Sequence, residues 1–251
     1  MLRSGIVGLP NAGKSTLFNA LTQGGAEVAS YPFCTIDPNV GVAAVPDPRL
    51  QAIAETIKPE RTTPATVEFV DIAGLVEGAS RGEGLGNRFL SHIREVDALV
   101  HVVRCFNAPD VTHVRGAVDP AGDIATIETE LLLADLERVE DRLEKGRRAA
   151  KSGDPELRRR VELLEALRTE LDGGLPARRS GLAEEEGPLL AELDLLTAKP
   201  VVYVANTDDD PSGAAAHVEA VQEHAQRTGD AAVVLSAALE TEIAEIGRAH
   251  V

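Results

Sequence analysis

The chain has 251 residues, 41 of them Asp or Glu against 25 Lys or Arg, for a formal net charge of -16 with histidine neutral. That balance excludes blanket attraction to nucleic-acid phosphates, and 3% aromatic content with no Trp excludes a stacking platform for single strands, so any nucleic-acid contact must be local. A hydrophobic share of 43% excludes wholesale disorder and supports one sizeable core plus an appendage, while no apolar run approaches the roughly 18 to 20 residues of a membrane helix.

The first eight residues, Met1 to Gly8, read as a strand and not as a signal peptide, so the protein is expected in the cytoplasm. Cys34 and Cys105 are too few and too far apart for a zinc cluster or a disulfide framework, and both read as plain side chains. Short apolar runs at residues 5–9, 40–45, 67–72, 98–103, 201–205 and 231–235 alternate with helical spacing such as that of residues 48–57. Most of these runs read as strands buried on both faces, which predicts an α/β fold built on a mostly parallel sheet.

Between the first run and a helix beginning near Lys14, Gly8-Leu9-Pro10-Asn11-Ala12-Gly13-Lys14-Ser15 matches the phosphate loop of the P-loop NTPases. Its glycines let backbone amides turn inward around phosphates, and the helix N-terminus adds a favourable dipole. Lys14 would reach the terminal phosphates, Ser15 would offer a hydroxyl to Mg2+, and Thr16 would line the same loop. Asn11, Ala12 and Gly13 complete the cradle. Next, residues 31–36 show no clear periodicity, and Thr35 is the candidate there for a further magnesium contact from a switch loop. Asp71-Ile72-Ala73-Gly74 closes the third strand, where an acid supplies the second magnesium contact of a phosphate-loop fold.

From Ile124 to about Thr197 no strand pattern appears. Leu132, Leu136, Val139 and Leu143 form one helical stripe, and Leu157, Val161, Leu164, Leu167 and Leu171 form a second. Gly146 and Gly153 are expected to break the pattern between them, and Asp154-Pro155 supplies an N-cap followed by a first-turn proline. An antiparallel helical coiled-coil hairpin results. Around its turn Lys145, Arg147, Arg148, Lys151, Arg158, Arg159 and Arg160 face only Asp154 and Glu156, a basic tip on an acidic protein and the best candidate for a nucleic-acid contact. Beyond the fifth strand, Asn206-Thr207-Asp208-Asp209 matches Asn-x-x-Asp, and Ser236-Ala237-Ala238 follows the sixth; these are the places that read a base. Asp209 could accept from the paired donors of guanine, which adenine lacks, or the segment could be an acidic turn.

Together, residues 5–21, 31–39, 46–50, 69–86, 101–106 and 129–136 resemble the YchF subfamily of Obg-type phosphate-loop NTPases, also called Obg-like ATPases. The resemblance covers nearly the whole chain. It implies a nucleotide domain over residues 1–123 and 198–251, interrupted by the coiled coil at 124–197, together with ATP hydrolysis and ribosome binding. In that family the base-reading motif typically ends in Glu. Here Thr207 and Asp209 depart from the pattern toward the guanine form, so ATP is favoured with GTP also bound. Leu75 stands where many related GTPases place a water-orienting glutamine, which an apolar side chain cannot replace, and similar proteins carry a loop histidine that His113 matches. His101 reads as structural. In some similar NTPases the position of Asn11 helps hold a K+ ion beside the phosphates.

Family members continue into a small domain of the TGS type, which is not found within these residues. The last six, Ile246 to Val251, read like a translated sequencing adapter, so the natural gene is expected to run beyond about Glu245 and no function is assigned to His250. The leading reading is a magnesium-dependent NTPase whose nucleotide state controls ribosome docking. The alternatives are a GTP-specific GTPase and a nucleotide-gated interaction module with negligible turnover, while a small-molecule kinase would not need both Asp71-x-x-Gly74 and Asn206-x-x-Asp209.

Overall fold

The computed structural model describes residues 1–23, 40–72, 85–107, 117–182 and 187–249; Cys34, Thr35, Gly74, Leu75, His113 and His250 lie outside them. The strands β1 (Leu2–Val7), β2 (Val40–Ala44), β3 (Thr66–Asp71), β4 (Ala98–Arg104), β5 (Val201–Asn206) and β6 (Ala231–Leu235) form one sheet in the order β2-β3-β1-β4-β5-β6. Every pairing is parallel except β2 with β3. Parallel neighbours require crossovers, and the intervening helical segments supply them.

Around the sheet stand α1 (Lys14–Gln23), α2 (Pro48–Ile57), α3 (Leu85–Arg94), α4 (Pro120–Ala149), α5 (Pro155–Asp172), α6 (Gly187–Leu193), α7 (Ala215–Thr228) and α8 (Ala237–Ala249). Alternation along the strands divides the core. Ile6 and Val102 join Leu17, Phe18 and Ala237 on one side, while Val7 and Val103 join Ile93, Ile127 and Val221 on the other. The predicted helix over residues 48–57 is α2, started by Asp47 accepting from Arg49 N at 3.0 Å with Pro48 in the first turn.

Two expectations about strands are corrected. The first strand ends at Val7 and not at Leu9, because Gly8 and Leu9 already belong to the turn of the loop. Burial on both faces holds for most of β4 and β5 and for the second half of β1, but no residue of β3 is fully buried, and Val233 and Val234 of β6 remain 46% and 37% exposed. The pattern follows position in the sheet for β6, which lies at an edge and has a neighbour on one side only.

The inserted segment is an antiparallel hairpin, with Arg147 paired to Glu165 at 2.8 Å and Arg168 to Glu140 at 2.9 Å. Val139, Leu143, Leu164, Leu167 and Leu171 are buried between the helices and form a core of their own with Leu190, Leu193 and Leu195. Each such side chain contributes about 1.5–3 kcal/mol. The expected boundary at residue 124 cuts through α4: this helix begins at Pro120, and Ile124, Ile127 and Leu131 belong to the sheet's core. A single rod of 30 residues, about 45 Å long, thus runs from the sheet to the tip. Asp135, fully buried, fixes its middle by accepting from Leu196 N at 2.8 Å, Thr197 N at 2.7 Å and Thr197 Oγ1 at 2.7 Å.

Gly146 does not break α4. A Cβ there would meet Val161 Cγ2 at 3.3 Å, so the glycine lets α5 approach closely and the helix continues to Ala149. Gly153, with φ at 88°, makes the turn, and Asp154 caps α5 by accepting from Glu156 N at 2.9 Å, with Pro155 following as expected. Among the described residues no helix is long and apolar enough to cross a membrane.

Candidate functional site

The carboxyl ends of β1, β3, β4 and β5 converge on the loop between β1 and α1. Gly8 (φ 153°), Asn11 (φ 64°) and Gly13 (φ 95°) take the positive angles that curl residues 8–13 inward. At Gly8 a Cβ would sit 2.4 Å from Val102 O, so the strand neighbour leaves no room for a side chain. Asn11 is one of the few non-glycine types that tolerate the left-handed region. Lys14 starts α1 with its side chain buried, and its Nζ donates to Leu9 O at 2.9 Å, which holds the ammonium over the cradle. Burial lowers the Lys14 pKa, and the nearby Asp71 carboxylate opposes that shift.

Ser15 Oγ donates to Asp71 Oδ2 at 2.7 Å. Two residues distant in sequence thereby place a hydroxyl and a carboxylate side by side at the carboxyl end of the sheet, Ser15 exposed and Asp71 half-buried. Such hard oxygen donors suit Mg2+, which takes one or two protein ligands and keeps its waters. Both residues were expected at the metal; Thr35, the third, lies outside the described residues.

On the far side of the loop is a cleft of about 460 Å³ lined by Gly13, Thr16, Phe106, Asn206, Thr207, Asp208, Asp209, Asp210, Ser236, Ala237 and Ala238. That volume suits a small ligand. Asn206 is buried and engaged inside the protein: its Nδ2 donates to Ala12 O at 2.9 Å and its Oδ1 accepts from Ala237 N at 2.9 Å. It ties the phosphate loop to the segment after β6. A Cβ on Gly13 would fall 2.2 Å from Asn206 Nδ2, so the glycine is required for that tie. Thr207 is also buried, its N–H bonded to Leu235 O at 2.9 Å. Ser236 Oγ donates to Asp209 Oδ1 at 2.8 Å and accepts from Leu239 N at 3.2 Å, which fixes the Asp209 carboxylate at the rim of the cleft.

Sequence reasoning did not single out Phe106 or Asp208. Phe106 continues β4 into the cleft, with the Arg104 guanidinium 4.5 Å from its ring centroid. Asp208 accepts from Asn107 N at 3.2 Å. The available signal was position alone, an aromatic residue just past a strand end. His113 and Leu75, offered for the water-orienting role, lie outside the described residues. His101 is fully inside, beside Tyr203 at 5.4 Å between ring centroids; burial holds its pKa down at about 4, so it is a neutral core group. Cys105 is buried too, and burial pushes its thiol up to about 12, far from a reactive thiolate.

The basic tip is smaller than its composition suggests. Arg147 pairs with Glu165, Arg148 with Glu144 and Arg160 with Glu192, acids that lie outside the turn itself. Lys145, Lys151 and Arg158 have no ion pair among the described residues.

Residues 3–137 match the model of the 50S ribosome-binding GTPase family. Over 249 residues the chain is 52% identical to the ribosome-binding ATPase YchF of Bacillus subtilis, covering 98% of this chain and 68% of that protein. It is 49% identical over 244 residues to the ribosome-binding ATPase YchF of Escherichia coli O157:H7, covering 97% and 67%. The structure of the Schizosaccharomyces pombe YchF GTPase superposes with a TM-score of 0.83 at 36% identity, covering 99% of this chain and 70% of that one. With a phosphate loop, a strand-end aspartate beside its serine and a hairpin between β4 and β5, the chain belongs to the YchF family.

Proposed function

We propose that this protein is a magnesium-dependent nucleoside triphosphatase that hydrolyses ATP, also binds GTP, and docks on the ribosome in the cytoplasm under control of its nucleotide state. The observation that carries the reading is the joined geometry of the loop. The Ser15–Asp71 pair stands at one end, and the cleft bounded by Asp209 and Ser236 opens at the other. Phosphates would occupy the cradle of residues 8–15 and the base would enter the cleft. The similar proteins named ribosome-binding ATPase supply the ATP and ribosome parts.

Bound Mg2+, held by Ser15 and Asp71 with Thr35 as the further candidate, would neutralise charge on the phosphate oxygens. The loop amides and the Lys14 ammonium stabilise the charge that develops as the terminal phosphoryl group departs. His113 positions the attacking water, since Leu75 cannot. Asn11 is the candidate for a K+ contact, and equal turnover in potassium and sodium would discard that part alone.

The hairpin tip, with Lys145, Lys151 and Arg158 uncommitted, is the candidate ribosomal contact. It works together with Arg147, Arg148, Arg159 and Arg160. Asp209 favours a second reading, a GTP-specific GTPase, because a fixed carboxylate matches guanine's paired donors. Calorimetric titration of ATP and GTP with magnesium on wild type and Asp209→Glu decides between them. Tighter ATP binding by wild type supports the ATPase, whereas a GTP preference lost in Asp209→Glu establishes the GTPase. Single-turnover hydrolysis separates either from a binding module with negligible turnover.

A further inference from the structure

Beyond Arg104 and Asn206, which face each other in register, β4 and β5 stop pairing as strands but do not separate. Cys105 N donates to Asn206 O at 2.8 Å, and two residues later Asn107 N donates to Asp208 Oδ2 at 3.2 Å. The first link is main chain to main chain and the second uses a side chain. Phe106 lies between the two links.

Phe106 lines the cleft that Asp209 and Ser236 bound, and the Arg104 guanidinium lies over its ring at 4.5 Å from the centroid. Arg104 Nε also donates to Phe106 O at 3.3 Å, so both ring and main chain of Phe106 are held from below. The support on the outer side is the Asp208 carboxylate. An aromatic ring at the edge of a base-sized cleft offers a stacking wall worth about 1–3 kcal/mol per base. A wall that must first be ordered on binding gives part of that back as lost freedom.

We propose that Asp208 is a positioning residue for the nucleobase: by accepting from Asn107 N it holds Phe106 as the wall of the base cleft, without touching the nucleotide's phosphates. This rests on the reading of the cleft as the base site. It also gives a purpose to the first two acids of Asp208-Asp209-Asp210 that a solvated turn would not. Asp209 is held by Ser236, and Asp208 instead accepts from Asn107 N on the β4 extension.

The experiment is calorimetric binding of ATP, GTP and inorganic triphosphate, each with magnesium, to wild type, Asp208→Ala, Asp208→Asn, Phe106→Ala and the double variant Phe106→Ala/Asp208→Ala. Asp208 is exposed, so its variants should fold, and an unchanged thermal midpoint verifies this. Asp208→Ala should raise Kd about fivefold for both ATP and GTP, the equivalent of one lost hydrogen bond of about 1 kcal/mol, and leave triphosphate unchanged. Asp208→Asn retains an acceptor oxygen and should recover most of the loss. In the Phe106→Ala background, removing Asp208 should change nothing further, because the residue acts through the ring.

Equal weakening of triphosphate, or full additivity with Phe106→Ala, would overturn the proposal. So would nucleotide binding by Asp208→Ala that matches wild type, which leaves the nucleotide reading standing. Wild type that binds triphosphate but shows no added affinity for ATP or GTP would instead remove the base site itself, and the proposal with it.

Discussion

Asn206 is the most demanding point in the site, since one buried amide joins two segments that the chain separates widely. Replacing it with Ala removes the donor to Ala12 O and the acceptor of Ala237 N, both at 2.9 Å, at a position 4% exposed. Each backbone group left unsatisfied in such surroundings costs about 1–3 kcal/mol, so the folded state should lose about 2–4 kcal/mol after partial relaxation. Binding should suffer separately. Once the loop's Ala12 carbonyl is untethered, the cradle must be ordered by the nucleotide, and ATP affinity should fall at least about tenfold, or about 1.4 kcal/mol. Asn206→Asp makes the argument sharper: a carboxylate oxygen can still accept from Ala237 N, but its second oxygen would face Ala12 O and repel it. This variant should therefore lose nucleotide binding and stability at least as severely as Asn206→Ala, because it buries an unpaired charge against a carbonyl oxygen. Urea unfolding and calorimetric titration on the same samples measure the two quantities. Stability within about 0.5 kcal/mol of wild type for Asn206→Ala would refute the coupling, as would intact nucleotide affinity in both variants.

Other expectations follow from single contacts. Gly13→Ala would place a Cβ 2.2 Å from Asn206 Nδ2 at a φ of 95°, so nucleotide binding should weaken by about tenfold or more, measured by the same titration. Asp135→Ala leaves the Leu196 and Thr197 donors without their acceptor and should cost about 3–5 kcal/mol in urea unfolding, whereas Glu165→Ala, which breaks only the exposed pair with Arg147, should stay within about 0.5 kcal/mol. His101 is held near 4 against an ordinary 6.5, so the unfolded chain binds its proton first as pH falls. Its stabilising contribution is complete above about pH 6.5 and is lost as pH drops toward about 4, to a total of about 3 kcal/mol. His101→Gln should flatten that part of the stability profile measured by urea unfolding between about pH 7 and about pH 4.5; an unaltered slope would show that the acid loss arises elsewhere.

Local chemistry was legible in the sequence because it depends on neighbours. The phosphate loop is written in Gly8, Gly13, Lys14 and Ser15, since only those residue types allow the turn and supply its charges. The alternation of apolar runs with helical spacing likewise dictates a parallel sheet, and Asp154-Pro155 dictates where α5 begins. The resemblance carried by those motifs was sufficient to reach the family. Contacts across long separations were not legible, because no period or spacing records them. Gly146 looks like a helix breaker until Val161 of the returning helix is seen packed over it. The basic tip looks unbalanced until Glu165 and Glu192 arrive from 18 and 32 residues away. Phe106 lines the cleft beside Asp208, whose carboxylate accepts from Asn107 N, 101 residues earlier, a contact that no spacing announces. By itself the sequence determined a phosphate-binding α/β domain with a helical hairpin. Only the tertiary structure decided which charges stay free, which glycines serve packing, and what lines the cleft beside the phosphate loop, because those are properties of side chains that meet after the chain has folded.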